Sequence, residues 1–252
     1  KFGRRDADHE FGCNPCSEII LRPYQFCNLT EVVIREKDKF EDLKRKVMLA
    51  TILGTAQATL TKFPYLRKIW QKNTEEERLL GVSLTGIMDN ELTNGKKHGL
   101  EKTLEALREI AVETNKEWSA IFGIPQSTAI TCVKPSGTVS QLVDSSSGIH
   151  PRHSDYYIRT VRGDNKDPLT NFMKDSGIPS EADFMKPDTQ TVFSFPMKSP
   201  KKSVVRNDMT AIEQLEMWLL YQRHWCEHKP SVTVSVRDEE WMEVGAFVFK
   251  HF

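Results

Sequence analysis

Short apolar, β-branched segments alternate with amphipathic helical patterns along this chain of 252 residues, which predicts an α/β fold with mostly parallel strands. Two stretches carry the expectation. Residues 128–133 read as a strand that runs directly into Lys134-Pro135-Ser136-Gly137-Thr138, with a helix expected over 137–143. Farther on, 191–195 reads as a strand, 210–227 as a helix and 231–236 as an alternating strand.

The remaining elements follow in order. Residues 18–21 and 27–34 are short apolar runs on either side of the turn-prone Arg22-Pro23, so both are expected to be extended. Over 39–63, Phe40, Leu43, Val47, Leu49, Ala50, Leu53, Ala56 and Leu60 recur at helical spacing before Pro64. Thr74 and Glu77 have the spacing of a capping box, which predicts a second helix to about 89. Leu100, Leu104, Leu107, Ala111, Thr114 and Trp118 give a third helix its inner face. Residues 162–188 are polar, with loops expected around a short helix at 168–174. The five tryptophans fall mostly on helical patterns and read as packing residues. No repeat or low-complexity linker divides the chain, so 1–252 is expected to belong to one domain.

Composition narrows the functional classes. With 38% hydrophobic residues the chain can bury a substantial core. Lys plus Arg and Asp plus Glu are each 35, so no net field draws it to nucleic acid or an acidic membrane, and any phosphate must be held locally. No apolar run reaches the roughly 18 residues of a membrane span, and the first ten residues are polar, so a cytoplasmic location is expected. The chain starts at Lys1 without Met and stops at Phe252 just after the apolar run 244–249; it reads as a piece of a longer protein. Its five cysteines are odd in number and lack zinc-ribbon spacing.

Chemistry-bearing residues gather in two places. In Asn14-Pro15-Cys16-Ser17-Glu18, an extended backbone would put Asn14, Cys16 and Glu18 on one face. An amide to hold a hydroxyl, a carboxylate to take a proton and a thiol able to act as nucleophile or hydrogen-atom abstractor suit a polyol such as a sugar. Taken alone, such a cysteine is more often a small buried hydrophobe. The second place is the turn at Lys134. A helix start offers unpaired N–H groups, Gly137 admits an anion, and Ser136, Thr138 and Ser140 add hydroxyls, which together suit phosphate. It is not a Walker motif, because Lys134 precedes Gly137, and an ordinary capped helix start would look the same.

Together the two places resemble the ribonucleotide reductase large-chain family: Asn-Pro-Cys-Ser-Glu, a second cysteine eleven positions after Cys16, and Pro-Ser-Gly-Thr about 120 residues later. Residues 81–86 resemble the family's glycine-bearing helix, Gly148-Ile149-His150-Pro151 and Tyr156-Tyr157-Ile158-Arg159 its segment after the phosphate turn, and Ser231-Val232-Thr233-Val234 a late barrel strand. The combination is most similar to the adenosylcobalamin-dependent, triphosphate-reducing branch. The resemblance implies that the chain is the C-terminal half of a ten-stranded α/β barrel with the radical cysteine on a central loop. It implies that Cys16 removes the ribose 3′ hydrogen as a thiyl radical, Glu18 takes the 3′-hydroxyl proton and Asn14 holds the substrate hydroxyls. Cys27 would supply electrons with a second cysteine outside this chain, and Ser136, Gly137, Thr138 and Ser140 would hold the phosphates of a ribonucleoside di- or triphosphate. Adenosylcobalamin as cofactor, thioredoxin or a similar reductant, and the rest of the enzyme are the implied partners.

A thiyl radical would be quenched by solvent, so Cys16 is expected inside the barrel. Cys13, Cys132 and Cys226 read as poor substitutes for the second cysteine. His150 with His153 and His224 with His228 have suggestive spacings but no third ligand, and no metal is expected. Two other readings stay open: the two-subunit iron- or manganese-dependent reductase, and a non-catalytic nucleotide-binding remnant.

Overall fold

A computed structural model of the chain describes residues 4–251. They separate into two compact units, one made of residues up to 152 and from 202 on, the other of 153–201.

The larger unit is built on a three-stranded parallel sheet. Strand β3 (Asn28–Val33) pairs with β4 (Leu80–Thr85), and β4 with β5 (Thr131–Cys132). Before it lies a two-stranded antiparallel ribbon, β1 (Gly12–Cys13) with β2 (Ile20–Leu21). Helices α1 (Phe40–Gln57) and α3 (Leu100–Phe122) cover the sheet, and α6 (Ala211–His224) adds Met217, Tyr221 and, just past its end, Trp225 to the same core. The alternating core residues Val32, Ile34, Leu80, Val82 and Leu84 pack there against Leu43, Val47, Leu104 and Leu107. Burial of this kind stabilises by roughly 25 cal/mol for each Å² of apolar surface removed from water, so these side chains hold the sheet to its helices.

Three expectations about this unit need correction. The capping box at Thr74 does not start a helix: Thr74 and Glu77 lie in the last turn of α2 (Lys68–Glu77), which stops at Arg78 in the left-handed conformation. The next residues form the central strand β4, buried at every position, where a glycine-bearing helix was expected. Its apolar residues Leu80, Val82 and Leu84 stand at every second position, the spacing of a strand, and two parallel neighbours fix it as one. Residues 231–236 are not a strand; an isolated parallel bridge, Val133 to Pro230, lies just before them, and Ser231 N–H donates to the Val133 C=O. Trp241 also departs from the packing expectation, standing 59% exposed at the start of α7 (Trp241–His251).

In α1 the buried face is Leu43, Val47, Thr51, Gly54 and Thr55, while Leu49 and Leu53 are exposed, as is Leu60 beyond the helix end. The helix of 137–143 shrinks to one turn, α4 (Val139–Leu142).

The smaller unit is antiparallel, unlike the mostly parallel expectation. Strands β6 (Tyr156–Asp164) and β7 (Ser180–Ala182) flank β8 (Gln190–Lys198), with Phe193 fully buried. Helix α5 (Pro168–Asp175) matches its expectation closely; Asp167 caps it by accepting the Leu169 N–H, and Pro168 fills the first position.

Candidate active site

The Asn14–Glu18 segment is a hairpin turn, not an extended strand. The ribbon pairs Gly12 with Leu21 and Cys13 with Ile20, leaving 14–19 as the loop. The Asn14 C=O accepts the Ser17 N–H at 2.9 Å, its side-chain oxygen accepts the Ile19 N–H at 3.0 Å, and Ser17 turns the chain at φ 63°. The expected common face of Asn14, Cys16 and Glu18 is therefore corrected: Cys16 is exposed near the tip, and Glu18 folds back to full burial. The exposure of Cys16 also departs from the enclosed thiol expected of a radical site.

The loop is fixed from three sides. Arg5 clamps Glu77 through Nε and Nη2 at 2.7 and 2.6 Å and donates to the Ile20 C=O at 2.6 Å. His228, fully buried, accepts the Ile20 N–H at Nδ1 and donates from Nε2 to the Leu80 C=O at 2.8 Å. Burial holds its pKa down to about 4, so it is a neutral strut. The third support is a close approach: a Cβ on Gly81 would come within 3.0 Å of Ile19 Cδ1 of the loop and 2.4 Å of Leu29 Cδ2 on β3, so the glycine lets both side chains pack onto the strand.

Glu18 meets the second motif directly. Its Oε1 accepts from Lys134 Nζ at 2.8 Å, and its C=O accepts the Lys229 N–H at 3.0 Å. Burial works to raise the Glu18 carboxyl, but the Lys134 ammonium and the Asn14 amide outweigh it and leave the group below the ordinary carboxylate range. Burial likewise opposes the Lys134 charge, and Glu18 overcomes it, with Cys132 and Cys16 acting in the same direction. Lys134 thus stands among Asn14, Cys16 and Glu18.

Beyond Lys134, whose N–H donates to Ser83 Oγ at 2.9 Å, the chain makes a tight turn with Ser136 at φ 54°. Gly148, at φ 56°, supports it, since a Cβ there would lie 2.3 Å from the Lys134 C=O. The four expected phosphate residues share this turn but not one orientation. Ser136 and Ser140 are buried, Gly137 and Thr138 are exposed, and the space above Gly137 is open. Ser140 Oγ accepts from Gln141 at 3.2 Å, whereas Ser136 Oγ is buried with no partner among the described residues.

Cys27 lies at the start of β3, where burial pushes its thiol well up, partly offset by Arg5 and Lys134. Cys132 is buried on β5, where burial first, then Cys226 and Cys27, hold its thiol well up. The strand register offsets Cys27 and Cys132 by four positions across two strands, roughly 16 Å between Cα atoms by ideal spacings, so they cannot close a disulfide without backbone movement. Cys13, exposed on β1, donates to Ser17 Oγ at 3.7 Å.

Two residues of this face escaped the sequence reading. Lys134 reads in sequence as the first residue of the turn, with no role of its own. Glu31 was passed over inside an apolar strand, although a lone charge in Asn-Leu-Thr-Glu-Val-Val is itself a signal. The histidines have local roles: His150 contacts the Ser147 C=O and accepts the Thr233 N–H, and His224 pairs with Glu105 at 2.8 Å.

No family model matches the chain. It is 30% identical over 231 residues to the adenosylcobalamin-dependent ribonucleoside-triphosphate reductase of Euglena gracilis, covering 90% of this chain and 31% of that protein. The protein of the same name from Lactobacillus delbrueckii subsp. bulgaricus is 29% identical over 96% of this chain and 36% of its own length. The chain spans about a third of the length of the curated relatives it matches. Among solved structures, a B-12 dependent (class II) ribonucleotide reductase superposes with a TM-score of 0.80 at 26% identity, over 96% of this chain and 37% of that one. An Actinobacillus ureae class Id alpha subunit shares the fold at a TM-score of 0.56 and 14% identity. In sequence and in α/β fold alike, this chain is similar to the adenosylcobalamin-dependent, class II ribonucleotide reductases over about a third of their length.

Proposed function

We propose that the chain is part of the catalytic barrel domain of an adenosylcobalamin-dependent ribonucleoside-triphosphate reductase, with both of its units in that domain and the Cys16 turn as the central loop. The observation that carries the reading is the Lys134–Glu18 ion pair, which sets a thiol, an amide and an ionised carboxylate beside a hydroxyl-lined turn. Each group has a task that its surroundings suit. Glu18, kept ionised, takes the 3′-hydroxyl proton; Asn14 holds the sugar hydroxyls; Cys16, as a thiyl radical, removes the 3′ hydrogen and later returns it. Ser136, Gly137, Thr138 and Ser140 receive the phosphates.

The net change replaces the 2′-hydroxyl by hydrogen. Two thiols give up two electrons and two protons, one disulfide forms, and one water leaves. Cys27 is one of the two thiols, and its raised pKa keeps it protonated until the hydroxyl departs. The other thiol, the enclosure that shields the radical, and a thioredoxin-like reductant lie outside this chain, in a cytoplasmic enzyme.

Adenosylcobalamin, when bound, supplies the radical that oxidises a thiol. The exposed thiol of Cys16 is open to such a group, and among the described residues no set of side chains marks a seat for the corrin. Ribonucleoside-triphosphate reduction by the full-length protein, assayed with and without adenosylcobalamin, tests the reading. Activity that requires the cobalamin is the expected result. Cobalamin-independent reduction would move the protein to the two-subunit form, and nucleotide binding without any reduction would leave a binding module.

A further inference from the structure

Glu31 is the single charged residue of β3. Its neighbours Thr30 and Val32 are buried, and Thr30 faces Gly54 of α1, so Glu31 lies on the opposite face of the sheet, in register with Ser83. That is the face over which Lys134 reaches Glu18, and the Lys134 backbone is itself bound by Ser83.

Glu31 Oε1 is buried with no hydrogen-bond partner among the described residues, and so is Ser136 Oγ, in a residue only 6% exposed. Burial raises the Glu31 carboxyl, while the Ser136 hydroxyl, near enough to act on it as a donor but without a hydrogen bond of ordinary geometry, and the Lys134 charge act in the opposite direction, so the three groups are neighbours. Lys134 gives its side-chain hydrogen bond to Glu18 and makes none to Glu31 Oε1. Buried polar atoms in native proteins are nearly always paired, and a cluster of unpaired ones marks a place where a ligand group or a water completes the bonding. An unpaired carboxylate oxygen needs a donor, which a phosphate does not offer and a sugar hydroxyl does.

We propose that Glu31 is a further substrate-contacting residue, whose carboxyl accepts a hydrogen bond from a ribose hydroxyl of a nucleotide seated at the Ser136 turn. The assignment rests on the functional reading above. It adds a second acidic contact on the sugar, on the strand side of the site and apart from the hairpin that carries Glu18. It makes Glu31 a determinant of selection for ribose over sugars that lack the hydroxyls.

Calorimetric titration of the full-length protein with ribonucleoside triphosphate and with its 2′,3′-dideoxy counterpart tests this, using wild type, Glu31→Ala and Glu31→Gln. Glu31→Ala should weaken ribonucleotide binding about tenfold or more and leave the dideoxy compound unchanged, since only the first has the hydroxyl that bonds a charged acceptor. Glu31→Gln, which keeps an acceptor oxygen and the side chain's shape, should fall between. Equal weakening of both ligands, or of neither, would assign Glu31 to structure or to a bound water and overturn the proposal. A wild type that binds neither nucleotide would overturn the functional reading as well, whereas wild-type binding with an indifferent Glu31→Ala would overturn the Glu31 assignment alone.

Discussion

Lys134 Nζ lies 2.8 Å from Glu18 Oε1, joining two turns that are 116 residues apart in sequence. Glu18 is fully buried and Lys134 keeps 26% of its side chain in solvent, so the pair is shielded on the carboxylate side and open on the other. The acid of the first motif is held in its charged form by the first residue of the second.

Lys134→Gln should therefore let the Glu18 carboxyl rise. Glu18 is depressed in the folded state, so the stability it contributes is present above its unfolded value of 4.5 and is lost as pH falls through the lower folded value. The variant should lose about 3 kcal/mol at neutral pH, the cost of leaving a buried charge without its partner. Urea unfolding of both proteins from pH 3 to 8 would show it, together with an acid limb of the activity profile displaced to higher pH.

His228 gives a pH dependence of its own. Its folded value of about 4 lies below the ordinary 6.5, so between those values the unfolded chain takes up a proton that the folded chain refuses. Stability should fall by about 3 kcal/mol as pH drops from 6.5 to 4. His228→Gln should flatten that part of the curve, and a proton NMR titration in which the His228 ring titrates near 6.5 in the native state would contradict the account.

Gly148→Ala should be costly out of proportion to one methyl group. It combines a left-handed backbone with a Cβ placed 2.3 Å from the Lys134 C=O, so the turn must shift. A loss of about 2 kcal/mol or more is expected from denaturant unfolding, with weaker nucleotide binding because Ser136 moves with the turn.

The two clusters of polar residues were more legible in the sequence than the topology. Asn14, Cys16, Glu18 and the 134–140 turn stood out because polar residues of complementary chemistry interrupt apolar surroundings. α3 was legible because seven buried positions recur at helical spacing. β4 was not, because Gly81, Ser83 and Thr85 between Leu80, Val82 and Leu84 are small and are buried too, so the segment has no solvent-facing side to mark its alternation. The hairpin at 14–19 was misread as extended because its turn rests on Asn14 side-chain bonds and on a left-handed Ser17, a conformation that serine seldom advertises. The tie between Glu18 and Lys134 was invisible, since no local pattern tells which of 35 basic residues will cross the sheet to one buried acid.

Glu18→Gln isolates the base. The amide fills the same space and can still accept from Lys134, but it cannot take a proton. The turnover number should fall by about 10²–10⁴ with little change in nucleotide affinity, whereas a rise in KM at unchanged turnover would make Glu18 a binding group only.

The most direct measurement is deoxyribonucleotide formation from a ribonucleoside triphosphate by full-length wild type and Cys16→Ser, with adenosylcobalamin present and nucleotide binding measured in parallel. Because a serine hydroxyl cannot form the thiyl radical, the account predicts normal binding and no detectable product from the variant. Product formation that survives the substitution would contradict it.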